Sequence, residues 1–302
     1  MGDLSEDRST TYYDRPVLKE PVWIWAVPAY FYAGGVAGAS AALGAAASLT
    51  RSDDLERLAA RCRTLAAAGT VAGTGLLIHD LGRPERFLNM LRVFRPTSPL
   101  NVGSWVLAGS TGSAVIAAAT ATRRGVLGAI GRVAGAVGGV LGLPLASYTG
   151  VLLASTAVPV WQEAGTSLPL LFVASAAGGA ASLLELRAAG EAERTVVWRF
   201  GLAGRAAELA ASFWMEREAG RSERVGRPLK TGVAGALLKT ARGATAAAIL
   251  LSWRGRSSPR ARAAAGVVGT IGAAATKLGV FYAGRPSTRD PRATFELQRE
   301  RR

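Results

Sequence analysis

The residues best suited to chemistry in this sequence lie where an apolar segment ends. His79 is the only histidine of the chain, Asp80 follows it directly, and Arg83 comes shortly afterwards. An imidazole can exchange a proton near neutral pH, and a neighbouring carboxylate can orient it or share its charge. A guanidinium can hold a polar oxygen. Together these groups can bind a ring oxygen and accept its proton.

The same segment also has a structural interpretation. Gly82 and Pro84 predict a helix stop, because glycine can adopt a left-handed cap and proline cannot continue the hydrogen-bond ladder. Four charged residues near this stop could then form interfacial ion pairs: Asp80, Arg83, Glu85 and Arg86. The amphipathic stretch 87–94 either lies along the membrane interface and forms the floor of a binding pocket, or is a surface helix that only connects two spans.

The elements around this region predict a polytopic membrane protein. Of 302 residues, 49% are hydrophobic and 19% are charged, and the mean hydropathy is +0.22. An apolar helix of about 20 residues can cross roughly 30 Å of hydrocarbon. Eight such windows can be placed, at 23–49, 62–79, 101–121, 132–158, 167–187, 195–214, 230–253 and 262–283. The predicted fold class is an all-α integral membrane protein with about eight transmembrane helices in two four-helix bundles.

We expect four parts along the chain. They are a polar N-terminal segment 1–22, a first four-helix bundle 23–160, a second four-helix bundle 161–284, and a polar tail 285–302. The glycine-rich helices should pack closely. With eight spans both termini lie on one side, and a slight excess of Lys and Arg in the loops of that side predicts that the termini are cytoplasmic in a cell membrane.

Composition excludes several classes of function. The single cysteine, Cys62, excludes an internal disulfide and is interpreted as a buried, inert thiol. The single histidine excludes bis-histidine haem, and no second nitrogen or sulfur ligand accompanies it for a metal. The net charge of +15 is spread over loops and helix ends. This distribution favours lipid headgroups and an acidic partner surface over nucleic acid.

Several segments resemble one known family. They are DLGRPERF at 80–87, SPLNVGSW at 98–105, YTGVLL at 148–153 and VPVW at 158–161. In this order they resemble the polysulfide reductase membrane subunit family of the NrfD/PsrC type. The segments 19–23 and 28–35 are also similar to actinobacterial branches of that family.

The resemblance implies a membrane subunit that binds no haem or metal of its own. Such a subunit exchanges electrons between a quinone pool, here expected to be menaquinone, and a ferredoxin-like iron–sulfur partner, which serves a molybdopterin subunit. The quinone pocket is expected in the first bundle, where Tyr148 matches a quinone-associated tyrosine. We predict that the quinone is bound by Tyr30, Arg83, Asn101 and Tyr148. We further predict that His79 and Asp80 exchange its protons and that Arg86 and Arg92 contact the partner.

Some alternatives stay open. The first helix here lacks the histidine that family members with a well-described pocket tend to carry, which leaves Tyr30, Tyr32 or His79 as the proton acceptor. The last three helices contain the charged residues Arg199, Arg205, Glu208, Lys239, Arg242 and Lys277. Glu208 and Lys277 form either a proton path or structural charge pairs. Other possible functions are a passive membrane anchor and a small-solute or ion transporter.

Overall fold

The computed structural model describes residues 17–294, and the regular secondary structure in this range is helical throughout. Eleven helices lie completely within this range: α1 Ala26–Leu49, α2 Asp53–Asp80, α3 Glu85–Met90, α4 Pro99–Ala119, α5 Gly125–Ala154, α6 Pro159–Glu163, α7 Ser167–Glu185, α8 Glu191–Ala219, α9 Glu223–Lys230, α10 Gly232–Arg254 and α11 Pro259–Arg289. Residues 291–294 are also helical. The all-α prediction is confirmed. The predicted polar segments 1–22 and 285–302 lie partly outside the described residues.

Six helices are long and apolar enough to span a membrane: α1, α4, α5, α7, α10 and α11. The other two long helices, α2 and α8, have 28 and 29 residues, which corresponds to about 42 Å of helix. Both begin with an acidic first turn and are more polar. These eight helices occupy the eight predicted windows, so an integral membrane protein is confirmed and eight spans are compatible with the structure.

The helix ends around His79 follow from local sequence. Gly82 adopts a φ of 66° immediately after α2, a left-handed conformation that glycine takes without a steric penalty. Pro84 then caps the short helix α3. The Ser98 side chain accepts a hydrogen bond from the Asn101 backbone N–H at 3.4 Å and caps α4. The predicted helix stop is confirmed.

α1 is the central helix of the fold. It packs against α2 and α5, and also against α7 and α11. Gly38 of α1 and Gly142 of α5 lie at a helix crossing, where a Cβ on either residue would overlap the carbonyl oxygen of the other. This is the close approach that the glycine-rich segments predict.

Aromatic residues join the first part of the chain to the last. Trp161 of α6 is buried and its indole N–H donates to the Val280 carbonyl of α11 at 2.8 Å. Trp23 stacks on Trp161 with ring centroids 6.1 Å apart, and Arg285 donates to the Trp23 carbonyl. The start of α1 and the C-terminal part of α11 therefore lie at one end of the bundle, called here the terminal end. We call α1–α6 the first half and α7–α11 the second half.

Candidate functional site

His79 and Asp80 lie at the terminal end, against the residues that precede α1. The Asp80 Oδ1 accepts a hydrogen bond from the Ile24 backbone N–H at 3.0 Å, which fastens α2 to the start of α1. The exposed His79 ring lies 6.2 Å from the Trp25 ring, with the two planes 51° apart. The imidazole and the second carboxylate oxygen therefore face the surface of the terminal end.

The charged residues after α2 form an open, basic surface. Arg83, Arg86 and Arg92 are exposed, and so is Glu85. Among residues 17–294 no ion pair joins these four side chains to one another or to Asp80. The structure therefore does not form the interfacial ion-pair cluster that was one interpretation of the segment. Its guanidiniums are available to a partner or a ligand.

Asn101 holds the loop between α3 and α4. Its side-chain amide donates to the carbonyls of Met90 and Val93, at 2.7 and 2.9 Å, and its Oδ1 accepts from the Arg95 backbone N–H at 2.6 Å. Both amide hydrogens are thus used, while Oδ1 keeps one lone pair. Asn101 fixes the position of α3 relative to the start of α4.

Tyr148 of α5 packs against the first turns of α4. A Cβ at Gly103 would overlap the Tyr148 ring, so the absence of a side chain there creates the place for the phenol. The Tyr148 hydroxyl donates to the Leu100 carbonyl at 3.5 Å. This is a long hydrogen bond, and such bonds are weak. The hydroxyl can therefore turn to a better acceptor near the N-terminus of α4.

Tyr30 of α1 is the second buried phenol of this region. Its exposed fraction is 3%, compared with 8% for Tyr148, and its helix α1 packs directly against α5, which carries Tyr148. The Tyr30 ring packs on Gly73 of α2, where an added Cβ would lie 3.2 Å from the ring. Gly73 precedes His79 by six residues along α2, or about 9 Å.

The predicted site residues therefore form two layers. Tyr30 and Tyr148 lie together inside the first half, and His79, Asp80 and Arg83 lie above them at the surface of the terminal end. Asn101 borders the inner layer through its neighbour Leu100. Arg86 and Arg92 lie further out, on the exposed surface around α3, and are not part of either layer.

The second half contains charged side chains deep in its interior. Arg205 of α8 and Glu185 of α7 have exposed fractions of 1% and 4% and form a bidentate ion pair, with N–O distances of 3.0 and 2.6 Å. The hydroxyls of Ser182 and Ser252 accept from the same guanidinium, at 2.9 and 2.5 Å. The two serine hydroxyls thus add hydrogen bonds to the ion pair. A buried ion pair needs such additional hydrogen bonds in order to offset the cost of its desolvation.

Glu208 and Lys277 form a second buried group, next to the first. The Thr276 hydroxyl donates to Glu208 at 2.7 Å. The Lys277 ammonium donates to the Phe172 carbonyl at 2.9 Å and lies 3.6 Å from the centroid of the Phe172 ring. Gly178 lies between the two groups. A Cβ added to it would lie 3.3 Å from Arg205 Cγ and 3.5 Å from Glu208 Oε2. Among residues 17–294 no ion pair within 4.0 Å joins Glu208 to Lys277, and their contacts given above are with neutral groups.

The remaining charged residues of the last helices lie nearer to the surface. Arg242 donates to the Ser212 hydroxyl at 2.9 Å and forms an ion pair with Glu216. Arg199 and Lys239 are exposed. Sequence reasoning missed Glu185, although an acidic residue inside the apolar window 167–187 was a signal that could have identified it.

Two of the cavities within residues 17–294 lie away from the two phenols. One, of about 360 Å³, lies at the terminal end and is walled by residues 18–23, Thr156 and Trp161. The other, of about 350 Å³, lies at the opposite end of the second half, between the ends of α7 and α10 and the starts of α8 and α11. Its wall contains four arginines.

Within residues 17–294 no group of three or more His, Cys, Asp and Glu side chains is arranged to hold a metal ion. Cys62 is buried with an exposed fraction of 0% and is not in a disulfide, as predicted. The predicted site residues of the first half thus offer two phenols, one imidazole, one carboxylate, one amide and three guanidiniums.

Comparison with known families gives one match. A family model described as polysulphide reductase, NrfD, matches residues 16–200, which is more than half of the chain. The matched range contains α1–α7 and the first part of α8. It therefore includes every predicted site residue. None of the curated proteins matches this chain.

Proposed function

The chain belongs to the NrfD family of polysulphide reductases, and we propose that it exchanges electrons between quinone in the bilayer and an iron–sulfur partner. As a family member with six apolar spanning helices, it is a multi-pass membrane protein and a subunit of a quinone-linked reductase complex. The quinone site, the partners and the proton route described below belong to the proposal.

The observation that carries the proposal is the pair of buried phenols beneath an ionisable surface. A quinone is an uncharged ring with two carbonyl oxygens, so it needs neutral donors and apolar walls. Tyr30 and Tyr148 are neutral donors inside the first half, with Leu107 and Leu145 in the core around them. A buried phenol can donate to a ring oxygen while its own ring packs on apolar neighbours.

Proton exchange is assigned to the outer layer. Oxidation of a quinol releases two electrons and two protons, and the protons must reach water. His79 and Asp80 lie at the surface, about 9 Å along α2 from the level of Tyr30, and can receive them. Arg83 supports the negative charge that develops on the ring oxygen. Asn101 keeps α3 in place, and its free Oδ1 lone pair can accept from a quinol hydroxyl.

The electrons are proposed to pass directly to an iron–sulfur cluster of a ferredoxin-like partner, which serves a molybdopterin subunit. The exposed guanidiniums of Arg86 and Arg92 would dock an acidic surface of that partner. Menaquinone is the quinone that we propose. The protein would lie in a cell membrane with cytoplasmic termini, and residues 23–160 and 161–284 would form the two four-helix bundles.

The test is quinone-linked turnover in membranes that contain the assembled complex. Tyr148→Phe removes the donor but keeps the ring, and Asp80→Asn removes the proton acceptor. Each should lower turnover by at least about tenfold while the complex still assembles. Tyr282→Phe is a matched control at the terminal end, outside the site, and should retain turnover. Full turnover in both site variants, with normal assembly, would overturn this site assignment. Normal partner attachment without quinone competition in a binding assay would instead identify a passive anchor.

A further inference from the structure

The cavity of about 350 Å³ in the second half has no part in the proposed quinone chemistry. It lies at the end of the bundle opposite to the terminal end, and its wall includes four arginines: Arg194, Arg199, Arg256 and Arg262. Two acidic residues, Glu185 and Glu191, also line it. The cavity is therefore a basic recess between the ends of four packed helices.

The positive charge of this recess is not neutralised internally. Glu185 is already paired with Arg205, which leaves Glu191 as the acidic group set against four guanidiniums. Among residues 17–294 none of the four arginines forms an ion pair with a carboxylate. An anion bound here would supply the missing counter-charge.

Two of the guanidiniums are held in position by their neighbours. The Arg256 guanidinium lies 4.8 Å from the centroid of the Trp198 ring, a stacking contact that orients its plane. Arg262 donates to the Gly255 carbonyl at 3.2 Å with one nitrogen. Its other nitrogen donors remain available. Oriented guanidiniums of this kind match the oxygens of a phosphate group.

Trp198 contributes to the recess through its ring. The residue lines the cavity, and its ring carries the Arg256 guanidinium on one side and packs edge-to-face on Trp253, with ring centroids 5.1 Å apart. Its indole N–H is shielded from solvent. Trp198 therefore positions Arg256 at the cavity wall.

The surroundings of the cavity fit a lipid. Leu186, Leu250 and Trp253 lie on the neighbouring helix ends with exposed fractions of 43%, 70% and 52%. These side chains provide an apolar surface along which acyl chains can lie. Basic pockets between membrane-spanning helices are known to bind anionic headgroups. We propose that this recess binds the phosphate of an anionic phospholipid.

The test uses the purified, delipidated full chain in detergent. Binding of phosphatidylglycerol, phosphatidylcholine and inorganic phosphate is measured separately by native mass spectrometry and by the shift in melting temperature. Phosphatidylglycerol should bind and stabilise, and phosphatidylcholine should bind at least about tenfold more weakly because its choline is repelled by the arginines. Equal binding of the two lipids would overturn the proposal. Inorganic phosphate binding without phosphatidylglycerol binding would overturn the lipid assignment and identify a soluble anion as the ligand.

Variants locate the binding in the recess. Arg199→Gln with Arg256→Gln should weaken phosphatidylglycerol binding by about tenfold or more. Trp198→Leu removes the ring under Arg256, and a loss of a few-fold is expected because the guanidinium is no longer held in position. Arg123→Gln with Arg124→Gln is the control, since both arginines are exposed in a loop at the same end but outside the cavity. An equal loss in control and recess variants would show non-specific attraction and overturn the proposal.

Discussion

The two halves of the molecule place their polar groups differently. In the first half the interior holds two uncharged phenols, Tyr30 and Tyr148, and the ionisable groups of the predicted site lie at the surface. In the second half Glu185, Arg205 and Glu208 lie deep inside. Charges inside a membrane protein are tolerated when they are paired and hydrogen-bonded. The interior of the first half therefore offers uncharged hydrogen-bond donors to an uncharged ring ligand. In the second half, buried charged groups hold the helices together.

The family match covers all of the first half but only part of the second half. The family match ends at residue 200, before Arg205, Glu208 and Lys277. It includes both phenols and the whole segment from His79 to Asn101. Assignments in the first half therefore rest on similarity and geometry together, and those at Arg205, Glu208 and Lys277 rest on geometry alone. Substitutions in each half test this contrast.

The largest effect is expected from Arg205→Leu. This change leaves the Glu185 carboxylate buried without its bidentate partner, and breaking a buried ion pair on one side typically costs about 3–5 kcal/mol of folding free energy. Chemical unfolding of the purified chain in detergent measures the loss. Arg217→Leu, at an exposed position of the same helix, should change the free energy of unfolding little.

A double variant separates charge pairing from packing. Replacing both Glu185 and Arg205 by Leu removes the unpaired charge, so most of the lost stability should return. If the double variant is as unstable as Arg205→Leu alone, the residues stabilise this half by shape rather than by their charges. The contrast between the halves would then be weaker than proposed.

The next largest effect is expected in the first half, from Gly103→Ala. The added Cβ would overlap the Tyr148 ring, and forced overpacking typically destabilises by about 1–3 kcal/mol. The displaced phenol should also lower quinone-linked turnover. Gly112→Ala is a matched control on the same helix, because a Cβ there meets nothing within 4 Å. Equal turnover in the two variants would contradict the role of Tyr148.

The sequence predicts the helices well because their signals are local. Apolar windows locate the eight long helices, and Gly82 with Pro84 marks the end of α2. The pairing of Tyr148 with the start of α4 is not predictable in this way. It depends on the contact between α4 and α5, which no spacing along the chain encodes.

The role of Asn101 shows the same limit. Its place in a motif predicts a ligand-binding residue, and the structure adds three hydrogen bonds to backbone groups of the preceding loop that the motif does not encode. Glu185 is the converse case, since nothing near it in sequence identifies Arg205 and Ser252 as its partners. Both outcomes depend on long-range packing.

A smaller effect is expected from Asn101→Ala. The change removes three side-chain hydrogen bonds to the loop after α3, but water can replace part of them at this half-buried position, so the expected loss is about 1–2 kcal/mol. Quinone-linked turnover should fall less than in Tyr148→Phe, because the loop moves while the phenols stay. Asn89→Ala, an exposed asparagine in α3, is the control for both measurements. A loss of turnover as large as that of Tyr148→Phe would make Asn101 a direct ligand.

The smallest effect is expected at the terminal end, from Glu20→Gln. The Arg289 side chain donates to the Glu20 carboxylate at 2.5 Å, and this hydrogen bond lowers the pKa of Glu20 below its usual value of 4.5. A carboxylate with a lowered pKa stabilises the fold above the unfolded-state pKa, and the contribution is lost as the pH falls through the folded-state pKa. The variant should therefore unfold slightly more easily at neutral pH and match the unmodified chain in acid. Arg289→Gln should show the same pH dependence, and combining the two changes should add nothing further. Additive losses would mean that Glu20 and Arg289 stabilise the terminal end independently of each other. This surface pair would then lack the coupling expected between Glu185 and Arg205 inside the second half.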